Sequence, residues 1–333
     1  LNAGSADFQK LWSYSTGFYG VWIAHIGKTT GLLELLARKS LSPTELASSV
    51  SFFPPSVRAW CSAALAYGFI TKAAGGRLKL RRSMKSMLLD KAHPDYLGGQ
   101  FSYLALRSLQ YASMQDLFKN GKTRPIASDF EAVDEATHWD HYAFLRVVRS
   151  DGALHRLLTR GCTLADIGCG TGSLIAKLCK RYPNSRYFGI DPSKEAVASA
   201  KKSLKGKPAT IKRMSAEMLS LTEKFDIVYL GESLYTAADK RVFAVNCYRA
   251  LRQGGTIMIL EGLIPERKVA QEDLLIMGMQ LDFALQGRQF LTKQELKKLL
   301  REAGFKNVGF RSLGGSVYLT SATKRSLGAK KAQ

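Results

Sequence analysis

Three glycines spaced two and two, Gly168, Gly170 and Gly172, follow Asp166 in the run Leu164-Ala165-Asp166-Ile167 and precede Leu174, Ile175, Leu178 and Cys179. The first run reads as a short buried strand and the last four residues recur at helical spacing, so the glycines occupy a strand-to-helix turn. Such a turn lets a ligand approach bare backbone, and the helix N-terminus beyond it offers unpaired N–H groups to a carboxylate or phosphate. A dinucleotide site wants G-x-G-x-x-G, which this spacing is not. The next strand, residues 186–190, ends at Asp191-Pro192. A carboxylate at a strand end, about 20 residues past the glycines, can accept both hydroxyls of a ribose. Taken alone, the glycines also suit a tight structural turn in an unrelated α/β domain.

Together with Asp166 and Asp191, this D-x-G-x-G-x-G pattern resembles motif I of the class I S-adenosylmethionine-dependent methyltransferases. Two later features add to the resemblance: the apolar strand 225–230 ending in Gly231-Glu232-Ser233, and a helix, Gly254-Gly255 turn and strand over residues 246–261. It implies an α/β fold with a Rossmann-like seven-stranded domain, and S-adenosyl-L-methionine as cofactor. Gly168, Gly170 and Gly172 would hold the methionine part, with Asp166 near its amino group. Asp191 and Pro192 would take the ribose, and Glu232 would stand at the cofactor's edge. The adenine contact falls on Ser215 and Ala216, where Ser215 replaces the acid usual at that place.

The elements before the turn suggest a separate unit. Residues 8–36 are dense in aromatic and aliphatic side chains such as Leu11, Trp12, Phe18, Tyr19 and Trp22, more apolar surface than one helix face buries inside a small domain. Ser42-Pro43-Thr44-Glu45 is a helix start; a second helix follows Pro54-Pro55, and a hairpin is predicted over 69–80. Helix, helix, hairpin is a winged helix, so the fold class is a mostly α-helical winged-helix domain preceding the α/β domain. Arg58 is the single charged side chain on the recognition-type helix, with no Asn or Gln to read base edges, which argues against sequence-specific DNA binding. The half also resembles the dimerisation domain of small-molecule O-methyltransferases of the caffeate and hydroxyindole type, which implies a homodimer. Expected boundaries are 1–90 for this domain, 91–150 for connecting helices that in the resembling family wall the acceptor pocket, and 151–322 for the catalytic domain. A linker is predicted at 119–129 and a disordered basic tail at 323–333.

Caffeate-type enzymes use a His base beside a Trp, assisted by two carboxylates. Here the His position falls on Ser233, the Trp position near Tyr235, one carboxylate on Glu261 and the other near Phe290. The family's base is absent. His141, beside Tyr142 on the helix leading into motif I, is the candidate substitute, because an imidazole titrates near neutrality. A merely hydrogen-bonded histidine is the other reading, and Glu261 either orients an acceptor or caps a strand end. The acceptor expected is small and largely apolar (aromatic, quinone-like or lipid-like), with O-methylation ahead of C- or N-methylation.

The chain's 333 residues carry a formal charge of +22, of which residues 1–150 contribute +7 and 151–333 contribute +15. A nucleic-acid or anionic-membrane partner could use that field, and a solvated surface explains it equally. A nucleic-acid methyltransferase and a cofactor-binding homologue without catalysis are therefore the alternatives. Five cysteines without a C-x-x-C pair suggest a reducing, cytoplasmic setting, and no metal site is expected.

Overall fold

The computed structural model describes residues 5–111, 114–120 and 130–325. Most of the predicted linker, residues 121–129, and of the basic tail, residues 326–333, lies outside them. The chain forms two compact units, Leu1–Gln115 with Ala127–Trp139, and Asp116–Ile126 with Asp140–Gln333.

The first unit begins with α1 (Ala6–Thr29), α2 (Leu32–Arg38), α3 (Pro43–Val50) and α4 (Pro54–Ala66). The capping box starts α3: Ser42 Oγ accepts from the Glu45 amide at 3.2 Å, and Glu45 returns the bond to the Ser42 amide at 2.7 Å. Strands β1 (Ile70–Lys72) and β2 (Leu78–Leu80) pair antiparallel with Ile70 opposite Leu80. Leu33, Leu36, Leu46, Trp60 and Ile70 make the core. Trp60 donates its indole N–H to the Ile23 carbonyl at 3.0 Å, and a Cβ on Gly27 would stand 2.4 Å from its ring, so only glycine lets α1 reach it. Along its outer length α1 leaves Leu11, Trp12 and Tyr19 more than half exposed.

Helices α5 (Arg82–Leu88), α6 (Gly98–Gln110), α7 (Met114–Asn120) and α8 (Phe130–Ala136) follow. The single helix expected to lead into motif I is three: α8, α9 (His138–Ser150) and α10 (Gly152–Arg160). Asp151 makes the last break, because its carboxylate caps α10 by accepting from the Ala153 and Leu154 amides at 3.0 Å each.

In the second unit β3 (Thr163–Ile167), α11 (Ser173–Arg181), β4 (Arg186–Asp191), α12 (Lys194–Ser203), β5 (Ala209–Arg213), β6 (Phe225–Gly231), α13 (Lys240–Ala250) and β7 (Leu251–Gly262) alternate. Then come α14 (Leu274–Ala284), α15 (Lys293–Glu302), β8 (Lys306–Gly314) and β9 (Val317–Thr323). The sheet order is β5-β4-β3-β6-β7-β9-β8, parallel through β7, with β9 and β8 antiparallel. The chain winds outward from β3 through β4 and β5, then returns to lay β6 on β3's other side. That reversal opens a crevice at the carboxyl ends of β3 and β6. Strands buried on both faces explain the apolar run 227–230 and the run 164–167, which Asp166 alone interrupts.

The Gly254-Gly255 pair is not a turn before the last parallel strand, as its sequence suggests. β7 already begins at Leu251, opposite Phe225, and the register jumps to Ile227 opposite Thr256. Gly254, at φ 76°, lies in the extra residues of that bulge, which the Lys324 backbone brackets by pairing with Gly254 and Gly255.

Candidate active site

The crevice at the ends of β3, β4 and β6 is a cleft of about 420 Å³, lined among others by Gly168, Pro192, Met214, Ser215, Ala216 and Ser233. Gly168, Gly170 and Gly172 all have φ between 52° and 81°, which an L side chain rarely adopts. At Gly168 there is a second reason, since a Cβ would lie 2.7 Å from that of Ser233. At Gly170 a Cβ would meet nothing, so the loop there opens onto free space.

Asp191 does more than its sequence position suggests. One carboxylate oxygen accepts from the Gly170 amide at 3.0 Å and the other from the Ser193 amide at 2.8 Å, so it ties the glycine loop to the start of α12. Each oxygen keeps a lone pair for a further donor. Asp166 is buried, and loss of hydration together with the Asp191 charge raises its pKa to about 7.

Ser215 and Ala216, expected at the adenine, line the cleft, and so do Met214, Glu217 and Phe243, which sequence reasoning missed. Glu217 lies two residues beyond the expected acid position and accepts from the Ala238 amide at 3.0 Å. Asn246 on α13 fixes this corner by donating to the carbonyls of Ala216 at 3.2 Å and Glu217 at 2.7 Å.

At the other end, Ser233 donates its hydroxyl to the Ile167 carbonyl at 2.8 Å. Glu261 is 2 % exposed and accepts from the Leu234 amide at 2.9 Å; burial raises its pKa to about 8 despite bonds from the amides of Tyr235, Leu234 and Ser233. Its carboxylate thus caps the turn that carries Ser233 and Tyr235. Tyr235 stacks on Phe283 of α14 with centroids 4.1 Å apart, and Phe290 meets both rings edge-on. His141 does not line the cleft. Its Nδ1 is 3.4 Å from Lys177 Nζ and its Nε2 3.6 Å from Asp140 Oδ1, while the same Lys177 sits over the Tyr142 ring.

Residues 165–259 match the family described as Methyltransferase domain. The chain carries a class I methyltransferase domain. Its methyl donor is S-adenosylmethionine. The chain is 24% identical over 311 residues to 3-hydroxy-5-methyl-1-naphthoate 3-O-methyltransferase of Streptomyces sahachiroi, covering 90% of this chain and 89% of that protein. It is 30% identical to eugenol O-methyltransferase of Sorghum bicolor over 149 residues, 43% of this chain and 38% of that one. In fold it resembles human N-acetylserotonin methyltransferase, solved in complex with SAM, with a TM-score of 0.75 and 19% identity over 98% of this chain and 100% of that one. The donor supplies an electrophilic methyl group on a sulfonium; the methyltransferase domain has to place an acceptor and exclude water.

Proposed function

We propose that this methyltransferase transfers a methyl group to a hydroxyl of a small aromatic acceptor. The observation that carries the reading is the Tyr235–Phe283–Phe290 ring cluster, contiguous through the Ser233–Thr236 turn with the cleft that Ser233 and Thr236 line. Flat apolar acceptors are held by such faces. The two relatives named for naphthoate and eugenol methylation point the same way. Ser233, where a histidine would serve as base, spends its hydroxyl proton on Ile167, and the Glu261 carboxylate is spent on backbone amides. The acceptor therefore arrives ionised, as a phenolate or its equivalent. The test is formation of S-adenosylhomocysteine with a panel of naphthols, catechols and hydroxyquinones. Product with an acidic phenol supports the reading; amines methylated in preference to every phenol would overturn it.

The α1 face with Leu11, Trp12 and Tyr19 is assigned to a homodimer interface, since a contiguous apolar patch of this kind marks a contact surface. Light scattering should report twice the chain mass, and Trp12→Glu with Tyr19→Glu should halve it; an unchanged mass would remove the assignment. A cytoplasmic location accords with five free, buried cysteines. Among the described residues no helix is long and apolar enough to cross a membrane.

A further inference from the structure

Residues 194–213 hold seven Lys and Arg side chains against one acid, Glu195. That net of +6 is more than a quarter of the chain's +22, and none of the seven lines the cleft. All seven are exposed, and among the described residues none makes an ion pair. The fold gathers them at one end of the sheet. α12 lies against β5, the outermost strand, and buries Ala196, Val197 and Ala200, which leaves Lys194, Lys201 and Lys202 on its outer side. From β5, Arg213 Nε donates back to the Pro192 carbonyl at 3.1 Å, just before α12. Lys212 points to the opposite face from buried Ile211 and covers the Phe188 ring, 5.7 Å from its centroid.

Lysines guard an edge strand against pairing with other chains, which accounts for Lys207 and Lys212. It does not account for α12. A solvated helix face interleaves its charges, as Lys298 and Glu302 do four apart on α15. Lys201 and Lys202 have no acid three or four residues away on either side, and Lys201 has Lys205 four residues on, where like charges repel. The adjoining rim of the cleft is apolar. Met218, 70 % exposed, follows the cleft-lining Ala216 and Glu217. Val242, also exposed, sits one turn before Asn246 on α13, and Asn246 bonds the Ala216 and Glu217 carbonyls, so both side chains stand at one corner.

The composition selects among anionic partners. Six of the seven cations are lysines, point charges without the planar fork of arginine, and no aromatic side chain lies between Phe188 and Phe225 for a base to stack on. Ammonium groups beside exposed aliphatic side chains suit phosphate headgroups above acyl chains. We propose that α12, β5 and the Met218 corner form a docking surface for an anionic lipid membrane. The lysines supply the attraction, and Met218 with Val242 the shallow insertion. Docking in this way holds the rim of the cleft at the bilayer interface, and it does not depend on which acceptor is methylated.

Co-sedimentation of the full chain with vesicles tests this. The wild type should bind vesicles containing phosphatidylglycerol, release them as salt is raised, and leave pure phosphatidylcholine vesicles unbound. Lys201→Gln with Lys202→Gln and Lys205→Gln should weaken binding by about 100-fold, or about fivefold for each basic residue. Lys297→Gln with Lys298→Gln and Arg301→Gln removes as much charge from α15, which lies against β8 at the other end of the sheet, and should stay within about threefold. Met218→Ser should weaken binding several-fold and leave its salt dependence unchanged. No binding to the anionic vesicles, equal binding to neutral ones, or equal loss in the two triple variants overturns the proposal. So does tighter binding of an RNA duplex than of the anionic vesicles, lost in the Lys201→Gln triple variant.

Discussion

Ser233 holds the site together through both its hydroxyl and its Cβ. Its hydroxyl bonds the Ile167 carbonyl, and its Cβ occupies the space that a side chain at position 168 would need. Ser233→Ala should therefore lower stability by about 1 kcal/mol, the value of one hydrogen bond, and leave kcat within about threefold. A fall of 100-fold or more at unchanged cofactor affinity would make the hydroxyl part of the chemistry. On the proposal that the acceptor arrives ionised, the acid limb of the kcat/KM profile should follow the acceptor: two phenols differing by about two pKa units should displace the limb by about as much. A limb fixed near one pH for both would identify an enzyme group instead. At this scale the sequence discloses what depends on chain-local geometry. The glycines and Asp191 are legible because the turn needs their types at their spacing. Asp140 is not legible, since an acid in the run Asp134, Glu135, Asp140 looks like a solvated helix face until Phe144 is seen packed on Tyr229.

Elements shape the corner of the cleft expected to hold the adenine. The turn over 216–218 is too short to hold its own shape, and Asn246 on α13 does this from outside by bonding two of its carbonyls. Asn246→Ala leaves both without that donor. We expect affinity for S-adenosylhomocysteine and for methylthioadenosine to drop together by about 3- to 10-fold, the scale of one or two neutral hydrogen bonds. Loss confined to S-adenosylhomocysteine would show that the turn does not form the adenine corner. The parallel strands and the helices between them were legible from period and length, because two-sided burial leaves an apolar run and one-sided burial a helical stripe. The bulge at Gly254 was not. It depends on pairing across to Phe225 and on Lys324 from the far end of the chain, and a Gly-Gly pair by itself reads as a turn. The breaks between α8, α9 and α10 were missed for a different reason: apolar periodicity runs through them, and only the Asp151 cap marks the second.

For the whole molecule, the buried acids set how stability responds to pH. Asp166 and Glu261 titrate near 7 and 8 in the folded chain, from ordinary values of 3.8 and 4.5, and burial also lifts Asp140 and Glu232. Between about pH 4 and 8 the folded state thus binds more protons than the unfolded one. Stability is fully present below the unfolded values and is lost as pH rises through the folded ones. Asp273 works oppositely: bonds from Ser316 and the Ala270 amide, with Arg267, hold it down at about 2, so its contribution disappears only in acid. The cofactor-free protein should be most stable near pH 5, and its Tm should fall steadily from pH 5.5 to 8.5. Saturating S-adenosylhomocysteine should flatten that fall, because the amino group expected beside Asp166 lowers the pKa of that carboxyl group and favours its ionised form. Scanning calorimetry at both pH values, with and without the ligand, checks this. A cofactor-free Tm that rises over the interval would mean that these acids find cationic partners in the folded chain, and a parallel fall with ligand bound would place the ammonium elsewhere.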